Sequence, residues 1–323
     1  MKYTLAIWLA VLCGCLFEAG FSLDAALETV SKHGKLSVSG TQLLNQQGEA
    51  VQLKGMSMFW SVWMPKYWNA PTVTSIHTQC HSNIVRAAMA VEYDGYLTNK
   101  ETELARLETV VDAAIAEDIY VIIDWHDWHG EEHLQQAMEF FDYVSKKYAS
   151  YPNIIYETYN EPLNISWSEV VKPYHLQIIQ TIRANDPDNV ILLGCPQWDQ
   201  DLDQVAADPI TGQTNIMYTM HFYAHQCRQW LRDRADNVLN QGIPIFVTEY
   251  GTVDGTGNGT VDADETQLWW TWLDGHQMSY VNWALSDKDE SASALIADTT
   301  PEMACQDSTL TESGKLVIAQ NKK

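Results

Sequence analysis

Ile154-Ile155-Tyr156-Glu157-Thr158-Tyr159-Asn160-Glu161-Pro162 is the stretch of sequence that decides the fold. Its first residues are apolar and β-branched, which is typical of a short buried strand. Pro162 cannot donate a ladder hydrogen bond, so the strand is expected to end there and to hold Glu161 at its carboxyl end. A second apolar stretch, residues 243–251, ends in the same way on Glu249. The chain therefore places two carboxylates at the rigid ends of two strands.

Working outward from this stretch, strand-like and helix-like segments alternate along the chain. The sequence predicts strands at residues 51–56, 83–89, 120–124, 154–158, 190–194, 216–221, 244–249 and 279–284, each followed by a helix. These runs are continuously apolar, as in strands that are covered on both faces. Eight such units within ~250–300 residues predict an α/β fold, a single (β/α)8 TIM barrel. Residues 36–44 predict a short N-terminal β-hairpin that plugs the bottom of the barrel.

An open doubly wound sheet is the competing α/β architecture. It usually has fewer strand–helix units and a glycine-rich first turn of the GxGxxG type. The first predicted strand ends in Lys54-Gly55-Met56-Ser57, which does not have that pattern. The barrel is therefore the better prediction.

The N-terminal segment predicts export rather than a part of the fold. Lys2 precedes an apolar run over residues 5–17, and Gly20 and Ser22 supply small residues before a cut after Ser22. This arrangement is typical of a secretory signal peptide and is too short for a membrane span, although an uncleaved anchor is the alternative. We expect residues 1–22 to be the signal peptide and the rest of the chain, to residue 323, to be the catalytic domain.

The composition fits a secreted protein with a neutral substrate. The 323 residues include 19 Lys plus Arg against 42 Asp plus Glu, a formal charge of −23. Such an excess of negative charge argues against nucleic acid and anionic membranes as partners. It also keeps a protein soluble, which is the simpler explanation. Two sequons, at Asn164 and Asn258, could carry glycans in a eukaryotic host.

Four of the six cysteines remain after removal of the signal peptide, and their spacing fits no zinc pattern. In an oxidising compartment, Cys80, Cys195, Cys227 and Cys305 allow three complete pairings. Cys227 and Cys305 follow predicted strands six and eight, so we expect a disulfide between them at the barrel mouth. Cys195 is the alternative partner for Cys227, whereas Cys80 is expected at the opposite face.

Polar or aromatic residues end six of the eight predicted strands. They are Arg86, Asp124 to His126, Asn160 with Glu161, His221 to Tyr223, Glu249 and Trp283. Each has an ordinary structural explanation when taken singly, such as a turn-forming glutamate, a buried ion pair or a satisfied core histidine. Because the carboxyl ends of barrel strands form the active site, their joint occurrence indicates a catalytic site.

Two strand-end glutamates suit the hydrolysis of a glycosidic bond. The leaving oxygen must be protonated by an acid, and the anomeric carbon needs a nucleophile on the opposite face. Glu161 and Glu249 are expected on opposite sides of the barrel mouth, where they can flank one bond. Arg86 and Tyr223 are suited to orient the nucleophile, and Asn160 is suited to bind the sugar 2-hydroxyl.

The run Asp124-Trp125-His126-Asp127-Trp128-His129 also resembles a set of metal ligands. In a strand, however, Asp124 and His126 face one side while Trp125 and Asp127 face the other. A metal site would also need ligands from elsewhere with open coordination positions. We therefore expect neither a metal nor another cofactor.

Seven short motifs in this order resemble the cellulases of glycoside hydrolase family 5, in the endo-β-1,4-glucanase branch found in bacteria and some invertebrates. The motifs are Leu53-Lys54-Gly55-Met56-Ser57, Val85-Arg86-Ala87-Ala88-Met89, Val121-Ile122-Ile123-Asp124-Trp125-His126, Asn160-Glu161-Pro162, Met220-His221-Phe222-Tyr223-Ala224, Val247-Thr248-Glu249-Tyr250-Gly251 and Ser286-Asp287-Lys288-Asp289-Glu290. Together they span almost the whole chain after the predicted signal peptide. Asn-Glu-Pro alone is a modest signal, whereas all seven in this order are highly specific.

The resemblance implies a role for each of twelve residues. Glu161 would be the acid/base and Glu249 the nucleophile. The implied supporting residues are Arg86, His126, Asn160, His221, Tyr223 and Trp283. Trp63 and Trp198 match positions that stack sugar rings, so with Trp283 they predict an aromatic cleft, and Lys288 and Glu290 match contacts to a sugar. Phe59 departs from several bacterial relatives, which have a substrate-contacting histidine there.

The resulting hypothesis is a secreted, monomeric, retaining endo-β-1,4-glucanase that acts on β-1,4-linked glucan. The same chemistry on mannan or xyloglucan is the first alternative, to be separated by assays on each polymer. A catalytically silent glycan-binding homologue would lack one of the two glutamates, and both are present. A metal-dependent hydrolase is a further alternative, and it predicts that a chelator abolishes the activity.

Overall fold

A closed barrel of eight parallel strands forms the centre of the computed structural model, which describes residues 29–323. A two-stranded antiparallel hairpin, β1 (Ser37–Ser39) and β2 (Gln42–Leu44), precedes it. The barrel strands are β3 (Lys54–Met58), β4 (Ile84–Ala90), β5 (Tyr120–His126), β6 (Ile154–Glu157), β7 (Val190–Leu193), β8 (Ile216–Tyr223), β9 (Ile245–Gly251) and β10 (Tyr280–Leu285). Each strand pairs with the next, and β10 closes onto β3. The predictions of a (β/α)8 barrel and of an N-terminal hairpin are confirmed.

Helical segments precede the hairpin, connect the barrel strands and follow β10. They are α1 (Val30–His33), α2 (Ala70–Thr78), α3 (Tyr96–Ala116), α4 (Leu134–Tyr148), α5 (Lys172–Arg183), α6 (Pro196–Asp199), α7 (Leu202–Ala207), α8 (Gln229–Leu239), α9 (Ala263–Gly275) and α10 (Glu312–Asn321). Side chains cap several N-termini: Asn69 accepts from the backbone of α2, Asp262 from α9 and Thr311 from α10. Within residues 29–323, no helix has the length and apolar character needed to cross a bilayer. The proposed signal peptide lies outside the described residues.

The hairpin closes the bottom of the barrel. Leu36, Leu43 and Val51 are buried against inward-facing residues near the start of the strands. Those barrel residues include Leu53, Ile84, Ile122, Ile155, Leu192, Phe246 and Val281. Because strand side chains alternate between faces, the residues two positions further along also point inward. At three of these positions they are Arg86, Asp124 and Glu157, so the barrel interior changes from apolar to charged towards the mouth.

The disulfide joins Cys80 to Cys305, with 5.3 Å between the two Cα atoms. The predicted pairing of Cys227 with Cys305 is therefore wrong, and so is the placement of Cys80 out of reach. Cys195 and Cys227 are buried free thiols.

The course of residues 286–311 explains this pairing. This segment leaves the barrel mouth after β10 and returns along the outside of α2 before α10 begins. Two hydrogen bonds tie it there, from Tyr67 Oη to the carbonyl oxygen of Thr299 at 2.8 Å and from Ser75 Oγ to that of Pro301 at 3.2 Å. Cys305 is thus brought to the C-terminal end of α2, which Cys80 follows. The sequence places Cys305 after a strand but does not show that its loop folds back.

Candidate active site

An open cleft of about 480 Å³ lies at the carboxyl ends of the barrel strands. Ten of the twelve predicted site residues line it: Trp63, His126, Asn160, Glu161, Trp198, Tyr223, Glu249, Trp283, Lys288 and Glu290. The other two are buried: Arg86 contacts Glu249, and His221 contacts Glu161. The sequence thus identified a set of residues that the fold brings together, while their individual roles remain predictions.

Arg86 is the electrostatic centre of the site and is completely buried. Its Nε and Nη2 atoms donate to the two carboxylate oxygens of Glu157 at 2.7 and 3.1 Å. Nη1 donates to Glu249 Oε2 at 2.9 Å, and Nη2 also contacts Asp124 Oδ2 at 2.9 Å and Asn160 Oδ1 at 2.7 Å. One planar guanidinium therefore fixes side chains from three other strands and from the turn after β6.

The negative charge around Arg86 exceeds its single positive charge. Burial raises the pKa of Asp124 to about 8 and that of Glu157 to about 7, although the Arg86 guanidinium opposes both shifts. Neighbouring carboxylates add to the increase in each case. Burial therefore shifts the titration of both carboxyl groups towards neutral pH.

A β-bulge in β9 sets the direction of Glu249. Between the pairs Thr219–Phe246 and His221–Glu249, β9 contains one residue more than β8. The extra residue allows two successive side chains of β9 to reach the site. Thr248 Oγ1 lies 2.8 Å from His221 Nε2. Glu249 Oε2 accepts a hydrogen bond from Arg86 Nη1.

Tyr223 completes the environment of Glu249 by donating from its hydroxyl to Glu249 Oε1 at 2.8 Å. The Tyr223 ring lies against Gly251, where an added Cβ would be 2.3 Å from a ring carbon. A side chain at position 251 would therefore displace the tyrosine. Burial, reinforced by the charge of Glu249, raises the pKa of Tyr223, so it remains a hydroxyl donor.

Glu161 faces Glu249 across the cleft. His221 Nδ1 lies 2.9 Å from Glu161 Oε1, and Trp128 Nε1 donates to Oε2 at 3.1 Å. Burial raises the pKa of Glu161, and it lowers that of His221 to about 4, so the imidazole is neutral at neutral pH. One carboxylate oxygen of Glu161, one ring nitrogen of His221 and one carboxylate oxygen of Glu249 lie within 4.8 Å of one another.

Aromatic side chains form both the floor and the walls of the cleft. The Trp283 ring is stacked on His126, with 5.2 Å between centroids and planes 6° apart. Trp63 and Trp198 stand on the walls with 45% and 46% of their surfaces exposed, which is unusual for tryptophan in a folded domain. The three tryptophans predicted to form an aromatic cleft do line it.

Phe59 lies at the end of the cleft that carries Lys288 and Glu290. Its ring packs against Trp283 with 5.1 Å between centroids, and Lys288 Nζ lies 5.1 Å from the centroid of the Phe59 ring. Lys288 also forms an ion pair with Glu290. The phenylalanine therefore supplies an apolar surface and no hydrogen-bonding group at this end.

Two groups among residues 29–323 bring three metal-ligand side chains within 4.8 Å of one another. One is Glu161, His221 and Glu249 itself. The other is Glu92, Asp127 and His129 beside the cleft, where His129 Nδ1 already lies 3.1 Å from a Glu92 oxygen and Asp127 accepts from two neighbours. Each of these three side chains therefore already has a hydrogen-bonding partner within the protein.

A comparison with protein-family models matches residues 44–289 to cellulase (glycosyl hydrolase family 5). The chain belongs to this family. Two curated relatives are endoglucanase Z of Dickeya dadantii, 46% identical over 87% of the chain, and an endoglucanase of Clostridium saccharobutylicum, 40% identical over 91%. The chain covers 65% and 66% of the lengths of these two relatives.

Solved structures agree with the family 5 assignment. A structure from Cytophaga hutchinsonii shares 48% identity and superposes with a TM-score of 0.89, covering 91% of this chain and 96% of that one. The catalytic domain of Thermobifida fusca endoglucanase Cel5A, solved in complex with cellotetraose, is 30% identical with a TM-score of 0.85 over 91% of this chain and 99% of that one.

Several residues of this family 5 site were not identified from the sequence. Glu157 anchors Arg86, and the signal for it was a carboxylate inside an otherwise apolar strand, where burial requires a partner. Asp124, which the sequence placed at a strand end without a role, also contacts Arg86. Trp60 and Trp128 also line the cleft, and Trp128 contacts the candidate acid/base. Gln200 and Gln226 complete the lining from loops, where no sequence signal marked them. Residues 255–257 also line the cleft, and they belong to a glycine-rich stretch, residues 252–260, whose composition is typical of an active-site loop.

Proposed function

We propose that the chain is a retaining endo-β-1,4-glucanase, with Glu249 as the nucleophile and Glu161 as the acid/base. The observation that carries the proposal is the approach of their carboxylate oxygens to within 4.8 Å on the floor of an open aromatic cleft. Retaining glycosidases have carboxyl groups about 5–5.5 Å apart, whereas inverting ones need about 6.5–9.5 Å for an intervening water. The separation supports direct attack by one glutamate.

In the first step, Glu161 donates its proton to the glycosidic oxygen as the bond to the anomeric carbon breaks. Its raised pKa favours the protonated form that this step requires. Glu249 attacks the anomeric carbon from the opposite face and forms a glycosyl ester. Arg86 and Tyr223 each hold one of its oxygens, which orients the carboxylate for attack.

In the second step, the ionised Glu161 removes a proton from water, which attacks the anomeric carbon and releases Glu249. Esterification has removed the negative charge of Glu249, so the pKa of Glu161 is lower at this stage and the residue can act as a base. Asn160 Oδ1 accepts from Arg86 at 2.7 Å, which directs the Asn160 amide nitrogen to the cleft. That donor suits the sugar 2-hydroxyl, a contact that strengthens in the transition state.

An open cleft with exposed tryptophans on its walls suits internal cleavage of a polymer rather than removal of terminal sugars. The substrate class is inferred from the family and from the cellotetraose complex of the Thermobifida fusca enzyme. Rates of hydrolysis of carboxymethyl cellulose, mannan and xyloglucan would test this substrate class. A faster rate on mannan or xyloglucan than on carboxymethyl cellulose would contradict it. The disulfide and the signal-like residues 1–22 support secretion, which N-terminal sequencing of the exported protein would test. The monomeric state stays a prediction, which sedimentation would test.

Azide rescue of two alanine variants tests the assignment of the two glutamates. Glu249→Ala should lose turnover and recover with azide to give the inverted α-glycosyl azide. Glu161→Ala should still form the ester from an activated aryl glycoside and react with azide to give the β-glycosyl azide. Each variant is the control for the other, because the products differ in configuration. NMR of the reaction of the unmodified protein identifies the anomer that is released first. An α-anomer that appears before mutarotation would contradict the proposal.

A further inference from the structure

Asp199 is a fully buried carboxyl group that lies against the histidine next to the proposed acid/base. Its Oδ1 atom accepts hydrogen bonds from the backbone N–H of Cys195 and from Thr219 Oγ1. Its Oδ2 atom has no hydrogen-bond partner and lies 3.4 Å from His221 Nδ1. The same nitrogen is 2.9 Å from Glu161 Oε1. Two carboxyl groups therefore share one ring nitrogen.

The backbone holds Asp199 at this position in an uncommon conformation. Gln197, Trp198 and Asp199 all have positive φ, at 59°, 54° and 58°. Left-handed backbone at residues other than glycine persists only where the surroundings fix it, and it is concentrated at functional sites. The N–H groups of residues 197 and 198 are fixed by the carbonyl oxygens of Leu163 and Pro162, both at 3.0 Å. The turn that exposes Trp198 to the cleft is thus tied to the residues that follow Glu161, and it points Asp199 inward.

Burial favours the neutral, protonated form of Asp199. Burial raises its pKa well above the usual range, the hydrogen bonds from Thr219 and Cys195 oppose that shift, and the charges of Glu161 and Glu157 add to it. Because two donors occupy Oδ1, the proton lies on Oδ2, the oxygen that faces His221.

His221 is neutral as well, so it has a single N–H and two alternative tautomers. With the proton on Nε2, the ring donates to Thr248 Oγ1, 2.8 Å away, and Nδ1 is an acceptor. With the proton on Nδ1, the ring donates to Glu161 and stabilises its ionised form. The tautomer of His221 is thus coupled to the proton of Glu161.

We propose that Asp199 is a positioning residue that acts through His221: its protonated Oδ2, 3.4 Å from Nδ1, disfavours a proton on that nitrogen and holds the imidazole in the Nε2–H tautomer. In that tautomer His221 cannot donate to Glu161, so the acid/base keeps its proton for the glycosidic oxygen. The inference rests on the proposed function, because it assumes that Glu161 is the acid. It assigns to Asp199 an influence on proton affinity rather than a contact with substrate.

Two substitutions at position 199 separate this role from a purely structural one. In Asp199→Asn, the amide reproduces the neutral acid, with an oxygen that accepts from Cys195 and Thr219 and an N–H that donates to His221. We expect its pH profile of kcat/KM to coincide with that of the unmodified protein. In Asp199→Ala, the Nδ1–H tautomer becomes free to stabilise ionised Glu161. Its basic limb should move to lower pH by about half a unit or more, with kcat reduced about tenfold and KM unchanged.

Asp186→Ala is the matched control, because Asp186 is another buried carboxyl that holds Tyr156 and Asn189 far from the cleft. It should lower stability and leave the basic limb in place. The inference is overturned if Asp199→Ala keeps the original basic limb, or if Asp199→Asn shifts it as alanine does. The azide products of Glu161→Ala and Glu249→Ala do not depend on Asp199, so they report separately on the proposed function.

A measurement on the unmodified protein keeps the test independent of whether the variants fold. The ¹⁵N chemical shifts of His221 distinguish a protonated from an unprotonated ring nitrogen. At neutral pH we expect a protonated Nε2 and an unprotonated Nδ1. The opposite tautomer would refute the role proposed for Asp199.

Discussion

Removal of the Cys80–Cys305 disulfide should destabilise the barrel by several kcal/mol. The bridge closes a loop of 225 residues, for which the chain-entropy relation gives about 5 kcal/mol. Losses on removing native disulfides are typically about 2–5 kcal/mol, because the reduced unfolded chain retains some structure. In a domain of this size each kcal/mol lowers the melting temperature by about 2–4 °C, so Cys80→Ala with Cys305→Ala should lower it by roughly 5–15 °C.

Urea unfolding with and without reductant measures this effect. The double variant should have a lower midpoint, and reductant should lower the midpoint of the unmodified protein to a similar value. Cys227→Ala is the control, because it removes a buried free thiol without opening a loop, and it should stay sensitive to reductant. An unchanged midpoint in the double variant would refute the entropic argument. A peptide map that joins Cys305 to Cys195 or to Cys227 would refute the pairing itself.

Three further sets of substitutions test the cleft and the layer beneath it. Trp198→Ala should raise KM on long soluble glucans severalfold, whereas Trp230→Ala, equally exposed but outside the cleft lining, should not. Gly251→Ala should displace Tyr223 and lower kcat about tenfold; Tyr223→Phe should do the same, and combining the two should add little. The pKa of Asp124 is raised to about 8, so this carboxyl stabilises the fold at about pH 4 and loses that contribution as the pH rises to 8. Asp124→Asn should therefore flatten the decrease in urea midpoint between pH 5 and pH 8, and an unchanged slope would contradict the shift.

The sequence was sufficient to predict the barrel because each strand carries its own signal. Continuous apolar runs at regular spacing require cover on both faces, and eight of them close into a barrel. The candidate site followed from the same pattern, since polar residues such as Arg86 and Glu249 at strand ends must meet at the mouth. Strand alternation could also have identified Glu157, which lies on the inward face two residues after Ile155.

The features that the sequence did not reveal depend on loops. Cys305 pairs with Cys80 because residues 286–311 fold back along a helix, and no local pattern encodes that path. Asp199 reaches the site because three successive residues adopt left-handed backbone without a glycine to mark the turn. Loop geometry of this kind is fixed by tertiary contacts, here the hydrogen bonds to the residues after Glu161.

The balance of charge within the barrel links these observations. Besides the proposed nucleophile, Asp124, Glu157 and Glu161 lie close to the guanidinium of Arg86, and a fourth carboxyl group, Asp199, is buried beside His221. One cation cannot offset this many charges in a medium of low dielectric constant, so burial raises the pKa of each of the four. A second buried cation would relieve the surplus, but it would also lower the pKa of Glu161 and remove the proton that the first step requires. Burial is therefore what favours the protonated form of Glu161, while neighbouring carboxylates add to the raised pKa values of Asp124, Glu157 and Asp199, at the expense of stability as the pH rises.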